Sequence, residues 1–126
     1  MTRHLHPPER IADFVARGWW TDETWDSLLR HHAGTNAEGV AVVDAPNRET
    51  FMHGAPRRWT WGQLDAAVDA LAGVMAEQGV GDGDTVGIQL PNSTELVQAL
   101  LAVARIGAVA SPFPVQFREY EIEQLG

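Results

Sequence analysis

A chain of 126 residues accommodates one hydrophobic core of ordinary size and no second domain. Its 44% hydrophobic and 21% charged composition excludes a disordered chain, and nine basic against 17 acidic residues give a net charge of −8, the wrong sign for a surface that neutralises phosphate backbones. Every basic residue is an arginine and cysteine is absent, which removes lysine Schiff bases, phosphate-loop lysines, disulfides, thiolate nucleophiles and sulfur-ligated metals.

Residues 1–18 read as an N-terminal arm, with His4, His6, Pro7 and Pro8 followed by Ile11, Phe14 and Val15 on one helical face. Trp19 and Trp20 then precede Thr21-Asp22-Glu23, an N-cap signal with acid in the first turn. Trp25, Leu28, Leu29 and His32 follow at i, i+3, i+4 and i+7, which predicts a helix over 22–33, ended by Gly34, with Trp25 packed in the core.

Residues 40–44 are a β-branched run, 45–49 a turn and 50–53 a return strand, so a hairpin is expected. Thr60-Trp61-Gly62-Gln63 is a capping box, and Trp61, Leu64, Val68, Leu71 and Met75 recur on one face until Gly79 stops the pattern. After the turn at 80–84, residues 85–90 form a strand ended by Pro91. Asn92 and Glu95 stand at capping-box spacing for a helix over 93–106. Its polar residues, Glu95, Gln98 and Arg105, make one narrow stripe, so burial on most other sides is expected. Residues 108–111 form an apolar strand, and strand, helix and strand with short links make a right-handed parallel crossover in an α/β fold. Residues 118–124 begin one more helix. The apolar run at 99–104 is too short to cross a bilayer and the N-terminus lacks a targeting core, so a cytoplasmic chain without membrane insertion or a nucleic-acid partner is expected.

Few residues carry chemistry by pattern alone. His31 and His32 are sequence neighbours that point about 100° apart on a helix, and neither they nor His4 and His6 have a spaced acidic partner for a metal. Gly81-Asp82-Gly83-Asp84 lacks the remaining ligands of a calcium loop and reads as a turn. The turn Pro91-Asn92-Ser93 places helix donors at the carboxyl edge of the crossover, where α/β proteins hold ligands, but proline followed by an Asn or Ser cap is also the ordinary start of a helix. Trp61, like Trp25, fits core spacing, whereas Trp19, Trp20 and Trp59 are more open.

Arg58-Trp59-Thr60-Trp61-Gly62-Gln63-Leu64, then Gly83-Asp84-Thr85-Val86-Gly87-Ile88-Gln89-Leu90-Pro91-Asn92, then Ala104-Arg105-Ile106-Gly107-Ala108-Val109, Pro112 and Arg118-Glu119-Tyr120-Glu121 resemble, in order and spacing, the opening of the AMP-forming acyl-CoA synthetase and adenylation-domain superfamily. Trp19-Trp20-Thr21-Asp22-Glu23-Thr24 is similar to the entry of its medium-chain and alicyclic acyl-CoA ligase branch. The resemblance covers about residues 20–126 and implies that residues 19–126 are an N-terminal subdomain fragment of an enzyme that activates a carboxylate with ATP and magnesium and passes the acyl group to coenzyme A. The family's phosphate loop, magnesium-holding acid, ribose aspartate and adenylating lysine have no counterpart in this sequence. Asn92 and Arg118 match family positions, and structural roles are expected for both. The resemblance therefore implies no catalytic, cofactor-binding or metal residue here and no cofactor for this chain alone. Expected partners are the remainder of a parent enzyme and further copies of the chain; the alternative is a stand-alone, non-catalytic α/β interaction module.

Overall fold

The computed structural model describes residues 6–125, so His4 of the N-terminal arm lies outside the described residues. In chain order the elements are α1 (Pro8–Ala16), α2 (Trp25–Thr35), β1 (Val40–Val43), a 3-10 turn (Arg48–Thr50), β2 (Arg58–Thr60), α3 (Trp61–Glu77), β3 (Thr85–Ile88), α4 (Thr94–Arg105), β4 (Val109–Pro112) and α5 (Glu119–Leu125). β3 and β4 pair in parallel, from Thr85 opposite Val109 to Ile88 opposite Pro112, with α4 as the crossover helix. β1 and β2 form a separate antiparallel pair. The α/β class and the parallel crossover are those expected from the sequence.

α3 begins as its capping box predicts. The Gln63 N–H donates to Thr60 Oγ1 at 3.1 Å, and the Thr60 N–H donates to Gln63 Oε1 at 2.9 Å. Leu64, Val68 and Ala72 are buried at spacings of four along one face, while Trp61, Leu71 and Met75 pack partly buried beside them. Gly79 ends the pattern at φ +89°, a left-handed conformation that glycine adopts without steric cost.

Small residues let the central helices approach closely. Ala102 of α4 joins Leu29, Leu64, Val68 and Ala72 in one core cluster, and Ala99 and Val103 join Ile88 in a second. α4 therefore links the helical layer of α2 and α3 to the parallel strands, and both clusters depend on it.

Several local expectations are corrected. α2 starts at Trp25 because Thr24, rather than Thr21, forms the cap: Thr24 Oγ1 accepts from the Ser27 N–H at 3.0 Å, and Ser27 Oγ accepts from the Thr24 N–H at 2.8 Å. This register turns Trp25 outward, 77% exposed, and leaves Leu29 as the buried anchor. Gly34 lies inside the helix, which continues to Thr35. The partner of β1 is Arg58–Thr60 instead of residues 50–53, which are drawn into a turn around the Arg48 side chain. α4 is capped by Ser93 instead of Asn92, because Ser93 Oγ takes the Leu96 N–H while Glu95 turns towards arginines. Among the described residues no helix is long and apolar enough to cross a membrane.

Candidate functional site

The carboxyl edge of the parallel pair, where the sequence places helix donors, is occupied by the protein's own anion. The Thr94 N–H at the start of α4 donates to Asp44 Oδ1 at 2.8 Å. Asp44 Oδ2 accepts from the Arg57 N–H at 2.8 Å and from Arg48 Nη1 at 2.9 Å. Burial by itself would raise the Asp44 pKa, but the two backbone donors and the Arg48 charge outweigh it and hold the carboxyl below its ordinary value. A helix N-terminus favours a negative group, and here the group is a side chain from the end of β1.

Arg48 is the centre of this arrangement, with only 2% of its side chain exposed. Its Nε and Nη2 donate to the His53 carbonyl at 3.2 and 2.9 Å, which folds residues 48–53 around the guanidinium. Nη1 also lies 2.8 Å from Glu95 Oε2, an ion pair off the line of a hydrogen bond. The Glu95 carboxylate, against the cost of burial, holds the guanidinium above its ordinary range. Glu95 Oε1 pairs in turn with Arg57 at 2.7 Å.

At the other end of α4 the Arg105 side chain is 6% exposed. Its Nε donates to Asp26 Oδ1 of α2 and its Nη2 to Asp65 Oδ1 of α3, each at 2.6 Å. Burial would raise the Asp26 pKa, but Arg30 and Arg105 hold it below its usual value. Gln98, between the two ends, donates its amide to the Ala67 carbonyl at 2.8 Å. The polar stripe of α4 thus points at neighbouring elements, and it is the apolar Leu100, 37% exposed, and Ala104 that meet solvent.

A groove of about 660 Å³ opens along that apolar side, between α2, β1 and α4. Trp25, Leu28, His32, Trp61, Val97 and Leu101 shape it, with His32 stacked on Trp61 at 4.6 Å between ring centroids. Trp61 is half-buried, as its helical spacing implies, whereas Trp25 stands on the rim. Trp19 and Trp20 pack on Phe14 of α1, with ring centroids within 5.3 Å of it, so these two open aromatics cluster with the N-terminal arm.

Asn92 is exposed just ahead of α4, whose cap bond comes from Ser93, and the Arg118 backbone N–H donates to Glu121 Oε2 at 3.0 Å at the start of α5. Among the described residues no group of three or more His, Asp or Glu side chains could hold a metal ion. The donors at the α4 terminus do not fit a nucleotide triphosphate with magnesium: the Thr94 N–H is taken by Asp44, the Glu95 carboxylate lies alongside, and Arg48 and Arg57 are paired with carboxylates. The sequence marked the edge itself. It gave no sign of Asp44, Arg48 or Glu95 as a cluster, because residues 44 and 95 meet only through the tertiary fold.

The family model for AMP-binding enzymes matches residues 29–125. The chain is similar to a salicyl-AMP ligase / salicyl-S-ArCP synthetase of Mycobacterium tuberculosis, at 34% identity over 103 residues, which is 82% of this chain and 17% of that protein. It is 32% identical over 114 residues to a medium-chain fatty-acid–CoA ligase of Escherichia coli, covering 90% of this chain and 19% of that protein. The solved apo structure of Mycobacterium smegmatis MbtA superposes with a TM-score of 0.78 at 34% identity, over 95% of this chain and 21% of that one. The chain thus spans a small part of the length of each relative.

Proposed function

The chain belongs to the AMP-binding enzyme family, and on that premise we propose that it is the N-terminal portion of an ATP-dependent acyl-CoA synthetase, which activates a carboxylate as an acyl adenylate and transfers it to coenzyme A. The observation that carries this reading is the likeness to the medium-chain fatty-acid–CoA ligase, which extends over 90% of the chain. ATP, magnesium and coenzyme A would be held by residues outside this sequence, since neither the phosphate-loop lysine nor the adenylating lysine can come from a chain without lysine. What these residues contribute is scaffold: α4, clamped at both ends by buried arginines, holds the parallel strands against α2 and α3. The remainder of the enzyme is the partner that covers the groove beside Trp25 and Leu100, and the location is cytoplasmic.

A second reading is favoured by a specific observation. The salicyl-AMP ligase / salicyl-S-ArCP synthetase shares 34% identity with this chain over 103 residues, which supports an aryl acid as the carboxylate and a carrier-protein thiol as the acceptor. Carboxylate-dependent exchange of pyrophosphate into ATP by the complete gene product separates the two. Exchange with octanoate and product formation with coenzyme A support the acyl-CoA reading; exchange with salicylate and no reaction with coenzyme A support the aryl reading. The 126-residue chain alone should give no exchange above a protein-free control, and exchange by that chain would overturn the scaffold assignment.

A further inference from the structure

On the sheet face away from α4, a short segment crosses the carboxyl end of the parallel pair and is fastened by one side chain. The Gln89 amide donates two hydrogen bonds, to the Pro114 carbonyl at 3.0 Å and to the Phe117 carbonyl at 2.8 Å. Two residues earlier on the same face of β3, Gly87 makes room for the segment: a Cβ there would stand 2.9 Å from the Phe113 ring. Pro114, Val115 and Gln116 are exposed, α5 beyond them has no buried residue, and both bonds from Gln89 lie in solvent. Few buried contacts and solvent-exposed hydrogen bonds are the physical signature of a unit that opens well below the free energy of global unfolding.

We propose that residues 113–117 form a latched strap, and that Gln89 is the positioning residue that holds it closed over the carboxyl edge of β3 and β4. With the amide bonds made, the strap fixes the point at which α5 leaves the sheet. With them broken, the strap and α5 release together while the body clamped by Arg48 and Arg105 stays folded. Asp44 fills this edge from inside, at the α4 terminus, and the strap closes it from outside, so the edge is blocked on both sides in the latched state.

Two variants of the whole chain separate latching from bulk packing. Gln89→Ala removes the side chain, and Gln89→Glu keeps its length while replacing the NH2 group that makes both bonds with a carboxylate oxygen that faces the two carbonyls. Hydrogen exchange at the Phe117 and Ile122 amides should accelerate about tenfold in both variants, and chymotrypsin should cut after Phe117 correspondingly faster. The Phe113 amide, bonded to the Ile88 carbonyl at 2.7 Å, should keep its protection, and the urea midpoint should not move. Unchanged exchange at Phe117 in both variants would overturn the proposal, as would a fall in the urea midpoint in step with the local change, which would make Gln89 part of the global fold.

Discussion

Asp44 and Thr94 are 50 residues apart in sequence, and the carboxylate of the first accepts the N–H of the second at 2.8 Å, closing the N-terminus of α4 with a residue from the end of β1. The same carboxylate satisfies the Arg57 amide and the Arg48 guanidinium, so one side chain ties the β1–β2 pair to the crossover. Asp44→Asn keeps the shape but removes the charge, leaving Arg48 buried with only the partly exposed Glu95 to oppose it. Removing one partner of a buried ion pair costs about 3–5 kcal/mol, and the midpoint of the equilibrium urea transition should fall accordingly. A loss under about 1 kcal/mol would mean that Glu95 alone neutralises Arg48.

Acid should loosen the fold through two carboxylates. Asp44 and Asp26 both have folded-state pKa values below their unfolded ones, Asp44 because backbone donors and Arg48 outweigh its burial, Asp26 because Arg30 and Arg105 do. A depressed folded pKa contributes stability that is complete above the unfolded carboxylate value of about 3.9 and is lost as the pH falls through the folded value. Urea midpoints should therefore be level from neutral pH down to about pH 5 and fall below about pH 4. The fall should be shallower in Asp44→Asn, which has already lost one of the two contributions.

The capping box at α3 gives a cleaner local test. Thr60→Ala removes the hydroxyl that accepts the Gln63 N–H and should cost on the order of 1 kcal/mol in urea unfolding, with no change in the slope of the transition. A midpoint equal to that of the original chain would place the start of the helix elsewhere.

How much of this was legible in the sequence depended on the range over which each interaction acts. The Thr60 and Gln63 pair, the periodic face of α3 and the stop at Gly79 are set by residues within a few turns of one another, and the β3–α4–β4 crossover by three consecutive elements with short links, so the sequence predicts each as the structure has it. The predicted start of α2 lies too early because Thr21 and Thr24 offer rival caps, and only the Ser27 hydroxyl decides between them. The sequence predicts the wrong partner for β1 because Arg48, with the look of a turn residue, is held inside by Asp44 and Glu95, the second of them 47 positions away. For the same reason the charged stripe of α4 reads as a solvent face: nothing near Arg105 in sequence announces Asp26 and Asp65. At the carboxyl edge the sequence predicts a helix start after a strand, but not that the Asp44 carboxylate, 50 residues away, takes the Thr94 N–H of that helix.

Trp25 and Leu29 provide a direct comparison, since both were expected in the core and only Leu29 is buried, at 3% exposure against 77%. Leu29→Ala should cost about 2–5 kcal/mol through lost burial and the cavity left among Leu64, Val68 and Ala102. Trp25→Ala should stay within about 0.5 kcal/mol, as substitutions at exposed positions do. Equal losses at the two positions would mean that the indole folds back onto the groove in solution.

The last prediction concerns the chain in isolation. Trp25, Leu28 and Leu100 stand exposed around the groove, Val109 is 56% exposed on β4, and the parallel pair has only two strands. Parallel strands are ordinarily covered on both faces, and a strand edge without a neighbour is a template for pairing. We propose that the 126-residue chain self-associates through the groove or the open strand edge. The net charge of −8 opposes this, but at physiological ionic strength charges are screened over about 8 Å, and the apolar contact should prevail. Light scattering should show mass rising with protein concentration, more steeply as salt is raised from low to physiological strength. Leu100→Ser should weaken the rise if the groove is the contact and leave it unchanged if the strand edge is. A single species near 13.8 kDa at every concentration and salt would show that the chain shields these surfaces by itself.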